Sequence, residues 1–91
     1  MGFTYVYVLV SGRDGKFYVG QTNDLRRRLR QHQSGMNRST AGRLPVMLVF
    51  YEAYLSKGDA LRRERYFKTT KGKVTLRAML ADYLKSGTVR N

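Results

Sequence analysis

The sequence contains no cysteine, and acidic residues are scarce. Without cysteine, the chain can form neither a disulfide framework nor a thiolate metal site. It has 6 aspartates and glutamates against 18 lysines and arginines, which gives a formal net charge of +12 at pH 7. A charge of this size attracts polyanions, and nucleic acid is the first class of partner that it predicts.

Membrane-spanning segments, repeats and low-complexity tracts are also absent from the sequence. The basic residues are scattered along the chain and do not flank one amphipathic or spanning segment, which argues against an anionic membrane as the partner. The N-terminal run lacks the basic stretch and cleavage site of a signal peptide. We therefore expect a cytoplasmic protein that forms a single domain over residues 1–91, with its oligomeric state left open.

Apolar runs and turn residues predict three strands and three helices. Both faces of the first run are apolar, which suits a central strand covered on both sides. The predicted elements are strands at 3–10, 16–22 and 46–54, and helices at 25–36, 56–67 and 73–85. This order, ββαβαα, predicts an α+β fold in which helices pack against a three-stranded antiparallel sheet.

The boundaries of these elements rest on caps and breakers. Thr22 or Asn23 is expected to cap the first helix, and Gly72 to end the second. Residues 37–45, which are rich in Ser, Thr, Gly and Arg, are expected to form a loop without helical periodicity.

Helical periodicity separates the clustered arginines of the first helix. Advancing about 100° per residue from Leu25, one apolar stripe takes Leu29, His32 and Met36. Arg28 falls on the border of this stripe, whereas the other arginines of the cluster point away from it. Arg28 can therefore reach inward beside His32. The alternative is that neither residue is functional, with Arg28 solvated and His32 hydrogen-bonded at the edge of the core.

A carboxylate lies within the apolar stripe of the second helix. On the helical wheel Glu64 falls between Ala60 and Leu61 and close to Phe67. A buried carboxylate is costly unless it is paired or bound to a cation. A structural ion pair with Lys68, one turn further on, is the alternative to a functional role.

Tyrosines stand in both predicted strands of the first hairpin. A turn centred on Asp14 and Gly15 gives a pairing register that places Tyr7 and Tyr18 on the same face of the sheet, unless a bulge intervenes. Gly20 lies inside the second strand, where a glycine often marks the close approach of a ligand or of another backbone.

These residues together resemble the GIY-YIG nuclease domain. The match consists of YVY at 5–7, YVG at 18–20, Arg28 and His32 in the first helix, and Glu64 within LRRERYFK. The chain is most similar to the small single-domain bacterial members, which are related to the nuclease domain of a bacterial excision-repair enzyme.

Two departures from the family pattern stand out. The first motif is Tyr-Val-Tyr in place of Gly-Ile-Tyr, but its last tyrosine is kept. Many members also carry an asparagine in a late C-terminal motif. Only Asn91 lies beyond the last predicted helix here, and we do not assign it that role.

The resemblance implies a role for each matched residue. It assigns Tyr7 and Tyr18 to the catalytic centre and Arg28 to the scissile phosphate. Either tyrosine can be the general base; the resemblance favours Tyr18, with Tyr7 orienting water and phosphate. His32 receives a supporting polar role, and Glu64 holds one divalent metal ion, Mg²⁺ or Mn²⁺. The chain would then be a metal-dependent endonuclease acting on DNA.

Basic side chains outside this centre are expected to bind phosphates. They are Arg27, Arg38, Arg43, Lys68, Lys71 and Lys73. Such contacts position a nucleic acid without reading its bases, which predicts selection of structure over sequence. RNA remains open as a substrate. The alternative function is a nucleic-acid-binding module that keeps the nuclease fold with little or no catalysis.

Overall fold

A computed structural model describes residues 2–86, so Asn91 lies outside the described residues. The elements are β1 Thr4–Ser11, β2 Phe17–Thr22, α1 Leu25–Gln33, α2 Arg38–Ala41, β3 Val46–Tyr54, α3 Lys57–Lys68, α4 Thr70–Met79 and α5 Ala81–Ser86. The strands form one antiparallel sheet in the order β2-β1-β3, which confirms the predicted α+β class. The element order ββαβαα needs correction, because α2 is additional and the last predicted helix is divided into α4 and α5. None of the helices within residues 2–86 has the length and apolar character needed to span a bilayer.

The central strand β1 is covered by helices on both faces. Val6 packs with Phe67 of α3 and Leu76 of α4, and all three are fully buried. On the opposite face, Tyr7 packs with Leu29 of α1. Full burial of an aliphatic or aromatic side chain contributes about 1.5–3 kcal/mol, so these two layers supply much of the stability.

The register of the first hairpin places the two tyrosines together. Tyr7 is paired with Gly20, and Leu9 with Tyr18. Side chains alternate along a strand, so Tyr7 and Tyr18 lie on the same face of the sheet, as the turn chemistry predicted. At the turn, Gly15 has a φ of 71°, and the Lys16 backbone N–H donates to Asp14 Oδ1 at 2.9 Å.

The N-terminus of α1 differs from the predicted cap. The cap is Asp24, whose carboxylate accepts a hydrogen bond from the third helical N–H at 3.1 Å. Thr22 instead accepts from the Asp24 N–H, also at 3.1 Å. A carboxylate beside the free N–H groups of a helix start is favourable, which explains why Asp24 takes the position.

The C-terminus of α1 comes earlier than expected. The helix ends at Gln33, and Gly35 follows with a φ of 82°. This left-handed residue turns the chain away, so that Met36 is 74% exposed and does not extend the apolar stripe.

The expected loop at 37–45 contains the short helix α2. Its cap is Asn37, whose side chain accepts a hydrogen bond from the Ser39 N–H at 3.0 Å. The helix carries Thr40, which is fully buried. This segment therefore contributes a polar side chain to the interior.

Gly72 does not end the second long helix. Thr69 does so, and its hydroxyl also accepts from the Gly72 N–H at 2.9 Å to cap α4. Gly72 lies buried in the first turn of α4, where an added Cβ would collide with the Tyr66 carbonyl. Glycine is required here because two helix backbones approach closely.

Candidate active site

A hydrogen-bonded chain joins β1, α1 and α2 below the sheet. The Tyr7 hydroxyl lies 2.8 Å from His32 Nε2, and His32 Nδ1 lies 2.7 Å from Thr40 Oγ1. Tyr7 is 2% exposed, and the other two residues are fully buried. Because both ring nitrogens are bonded, the imidazole orientation is fixed, and the imidazole in turn holds the Tyr7 phenol.

Gly20 makes room for this phenol. A Cβ at that position would stand 2.5 Å from the Tyr7 hydroxyl oxygen and 2.6 Å from Cζ. The close approach that a glycine in this strand predicts is therefore made by the Tyr7 side chain, and not by a ligand or another backbone. The ring lies across β2 at its paired position.

Tyr18 stands next to Tyr7 and is the more accessible of the two. Its ring centroid is 6.4 Å from that of Tyr7 and 5.1 Å from that of His32. Tyr18 is half-buried, whereas Tyr7 is buried. The structure therefore brings together three of the four predicted catalytic residues through direct side-chain packing.

The electrostatics of Tyr7 connect it to Arg28 and Glu64. Burial raises the pKa of the Tyr7 phenol well above its usual range, and the neighbouring Tyr18 raises it further. The Arg28 charge lowers this pKa, and the Glu64 charge raises it. Tyr7 therefore keeps its proton at neutral pH, and all four side chains share one electrostatic neighbourhood.

The imidazole beside Tyr7 is neutral at pH 7. Burial lowers the pKa of His32, and the positive charge of Arg28 lowers it further. A neutral imidazole has one donor and one acceptor nitrogen, which suits its position between the hydroxyls of Tyr7 and Thr40.

Arg28 differs from its neighbours in the way that periodicity predicted. It is half-buried, whereas Arg26, Arg27 and Arg30 are exposed. Surface pockets lie on two sides of it near the end of β2. They are lined, besides Arg28, by Thr4, Gln21, Thr22, Asn23 and Lys57 on one side and by Thr22, Asn23, Asp24, Arg27 and Gln31 on the other.

Glu64 is largely buried, though not fully, and it is ion-paired. Its side chain is 16% exposed, and its Oε2 lies 3.1 Å from Nζ of Lys68. The inward carboxylate and the structural ion pair, which the sequence offered as alternatives, are thus both present. Because the pair uses Oε2, Oε1 is the oxygen left for another partner.

Comparison with known proteins identifies the domain. The family model described as the GIY-YIG catalytic domain matches residues 3–77. This chain belongs to the GIY-YIG family. The match places it in a nuclease family and confirms the resemblance carried by the two tyrosine motifs, Arg28, His32 and Glu64.

Several relatives of this GIY-YIG chain bear the name UPF0213 protein. One from Streptococcus pneumoniae is 46% identical over 68 residues, which are 74% of this chain and 68% of that protein. One from Streptococcus sanguinis is 44% identical over 85 residues, or 92% and 91% of the two chains. A solution NMR structure of a UPF0213 protein from Bacillus halodurans has a TM-score of 0.54 at 38% identity, covering 85% of this chain and 84% of that one.

GIY-YIG nucleases generally use divalent metals, and Glu64 fits a hydrated ion. Within residues 2–86, no three His, Cys, Asp or Glu side chains lie close enough together to hold a metal by themselves. Mg²⁺ prefers oxygen ligands and often takes only one or two carboxylates, with water and phosphate completing its shell. One carboxylate therefore suits such an ion, but would not suit a site built only from protein ligands.

The predicted phosphate-binding residues of this GIY-YIG domain separate into three groups. Arg27 lines a pocket with Arg28, which is one of the predicted catalytic residues. Arg43 and Lys73 line a second basic pocket at the other end of β2. The remaining three are exposed on α2, α3 and α4, namely Arg38, Lys68 and Lys71.

Sequence reasoning missed Thr40 and Arg77. Thr40 fixes His32, but α2 has only four residues and is too short to show a helical period. The one local signal for α2 was Asn37, a residue often found at helix N-termini. Arg77 looked like one more solvated charge, yet it lies over the Phe17 ring, 5.3 Å from the centroid.

Proposed function

We propose that this GIY-YIG protein is an endonuclease that hydrolyses phosphodiester bonds of DNA with one Mg²⁺ or Mn²⁺ ion and selects structure over sequence. The observation that supports this best is the Tyr7–His32 hydrogen bond beside Tyr18, with Arg28 and Glu64 acting on the pKa of the same phenol. A plain binding surface has no need of a buried phenol bonded to a buried imidazole, with a partly buried carboxylate acting on the same phenol.

The two tyrosines take different roles in this proposal. Tyr18 is half-buried and therefore accessible to a water molecule. In its phenolate form Tyr18 would accept a proton from this water as the water oxygen attacks phosphorus. The bond to the 3′ oxygen breaks, and the 3′ oxygen takes a proton from solvent. Tyr7 keeps its proton because burial raises its pKa, which suits it to orient water or phosphate by hydrogen bonding. His32 and Thr40 keep that phenol in position.

In this proposal, Arg28 and Glu64 offset the negative charge that develops on the phosphate during the reaction. The guanidinium of Arg28 would hold phosphate oxygens, where charge accumulates in the transition state. Glu64 would hold the metal ion, which supplies further positive charge to the phosphate when bound. Loss of one such donor typically lowers kcat by about 10²–10³-fold, or roughly 3 kcal/mol.

A cleavage assay tests the proposal. Labelled duplex, single-stranded and branched DNA, together with RNA, are incubated with the protein in Mg²⁺, Mn²⁺ or chelator. Glu64→Gln and Tyr18→Phe should abolish metal-dependent cleavage and leave binding nearly unchanged, since the outward arginines stay intact. Asp59→Asn is the matched control, because it removes an exposed carboxylate of the same helix.

Two outcomes would overturn the assignment. If the parent and Glu64→Gln cleave at the same rate in Mn²⁺, the activity does not come from this site. If purified parent protein cleaves no substrate of the panel, the alternative function as a binding module stands.

The ion pair between Glu64 and Lys68 is the observation that favours a binding module. Lys68→Gln separates the two functions. In an enzyme this change frees Oε2 and should preserve metal-dependent cleavage. In a binding module, whose Glu64 serves only the fold, it should leave the protein inactive and lower its melting temperature.

A further inference from the structure

A second basic pocket lies at the start of β2, away from the Tyr7–His32 pair. It is lined by Lys16, Phe17, Arg43, Lys73 and Arg77. These residues come from the hairpin, from β2, from the segment after α2 and from α4, and four of the five are cations. Separate parts of the chain therefore bring positive charge to one place.

Arg43 is fixed in this pocket before any ligand binds. Its Nη2 donates to the Phe17 carbonyl oxygen at 3.3 Å, and its own carbonyl accepts from the Ser11 hydroxyl at 2.6 Å. Its Nε is buried without a hydrogen-bond partner, 3.8 Å from Oδ2 of Asp14. A guanidinium held in this way loses little conformational entropy when it binds an anion.

Arg77 is also held in the pocket, by the aromatic ring of Phe17. The guanidinium lies 5.3 Å from the ring centroid, a cation–π distance. Among residues 2–86, Asp14 has the one carboxylate within 4.0 Å of the lining cations, and it approaches only Arg43. Four like charges repel each other, and an anion in the pocket would offset that repulsion.

The pocket and the candidate active site lie along the same edge of the sheet. β2 is an edge strand: Phe17 at its start lines this pocket, and Thr22 at its end, five residues further on, lines the pockets beside Arg28. Five residues of strand span roughly 17 Å. This is the axial rise of about five nucleotides of a B-DNA strand.

We propose that this pocket binds a backbone phosphate of the substrate strand, about five nucleotides from the bond that is hydrolysed. The position of that bond rests on the proposed function, whereas the phosphate contact does not. The pocket would set which phosphate reaches Arg28, because a strand held at both points cannot slide along β2.

Salt dependence of binding measures the contact directly. The test variant is Lys73→Gln with Arg77→Gln, two exposed cations of α4. The control is Arg62→Gln with Lys85→Gln, which removes the same charge outside the pocket. Binding to a labelled duplex is followed by fluorescence anisotropy over a salt series without metal, after circular dichroism has shown that the variants are folded.

We expect the test variant to lower the magnitude of the slope of log K against log salt by about 0.9, because the pocket holds one phosphate and each lost phosphate contact removes about 0.9. The control should change the slope by much less than this. Lys73→Arg with Arg77→Lys keeps both charges and should restore the slope of the parent. Equal slopes for the test and control variants would overturn the proposal.

A dinucleotide and inorganic phosphate identify the source of the phosphate. A dinucleotide is too short to span both points, so we expect the test variant to lose more affinity for the duplex than for the dinucleotide. If the test variant loses equal affinity for the duplex and the dinucleotide, or loses affinity for inorganic phosphate alone, a contact to the substrate strand is refuted. If the parent protein cleaves no substrate while the test variant still shows a smaller salt slope than the parent, that result would refute the proposed nuclease activity and retain the phosphate site.

Discussion

Replacing Gly20 by alanine tests how the Tyr7 phenol is held. The added Cβ would stand 2.5 Å from the Tyr7 hydroxyl oxygen, whereas carbon contacts are relaxed at about 3.5–4.0 Å. The ring must move by about 1 Å, which is enough to break its 2.8 Å hydrogen bond to His32. Overpacking costs about 1–3 kcal/mol and a lost hydrogen bond about 1 kcal/mol. We therefore expect Gly20→Ala to lower the free energy of unfolding by about 2–4 kcal/mol.

Urea and thermal unfolding followed by circular dichroism measure this loss. For a domain of this size, about 4–8 °C is lost per kcal/mol, so the melting temperature should fall by at least about 8 °C. Gly42→Ala is the matched control, because its φ is −83° and an added Cβ there meets no atom within 4 Å. Its effect should stay within about 0.5 kcal/mol.

A double-mutant cycle assigns the cost to the correct partner. In Tyr7→Leu the ring that crosses Gly20 is absent, so Gly20→Ala should cost less than about 1 kcal/mol in that background. If Gly20→Ala costs the same in both backgrounds, Tyr7 is not the group that Gly20 accommodates. The argument for a phenol positioned by β2 would then fail.

Two further predictions concern pH and helix packing. Burial lowers the pKa of His32 below its ordinary value of 6.5, so the free energy of unfolding should fall as the pH drops from about 7 to 5. His32 is the single histidine. In His32→Gln, the free energy of unfolding from urea titrations should therefore depend less steeply on pH. The same pH dependence as in the parent would contradict this. Gly72→Ala, which drives a Cβ into the Tyr66 carbonyl, should cost more than about 3 kcal/mol in thermal unfolding. Gly58→Ala, with only Ser56 Oγ nearby at 3.6 Å, should stabilise by about 0.5–1 kcal/mol, and similar effects for the two would refute the packing argument.

The direction in which several key side chains point followed from local rules alone. Alternation along β1 and β2 and the turn chemistry put Tyr7 and Tyr18 on one face, because each strand residue reverses the side. The period of a helix set Arg28 apart from the other arginines of α1 and put Glu64 into an apolar stripe. These features depend only on neighbours a few residues away, so the sequence was sufficient to predict them.

Contacts between distant segments were decided by the tertiary structure. No local pattern shows that Thr40 reaches His32, that Tyr7 lies across Gly20, or that Arg77 lies on Phe17. Each contact joins separate elements, and its geometry depends on how the helices pack against the sheet. The sequence thus determined the charge, the strand faces and which polar side chains point inward. Packing decided which of them meet, because a hydrogen bond requires a match of about 3 Å that only the folded chain provides.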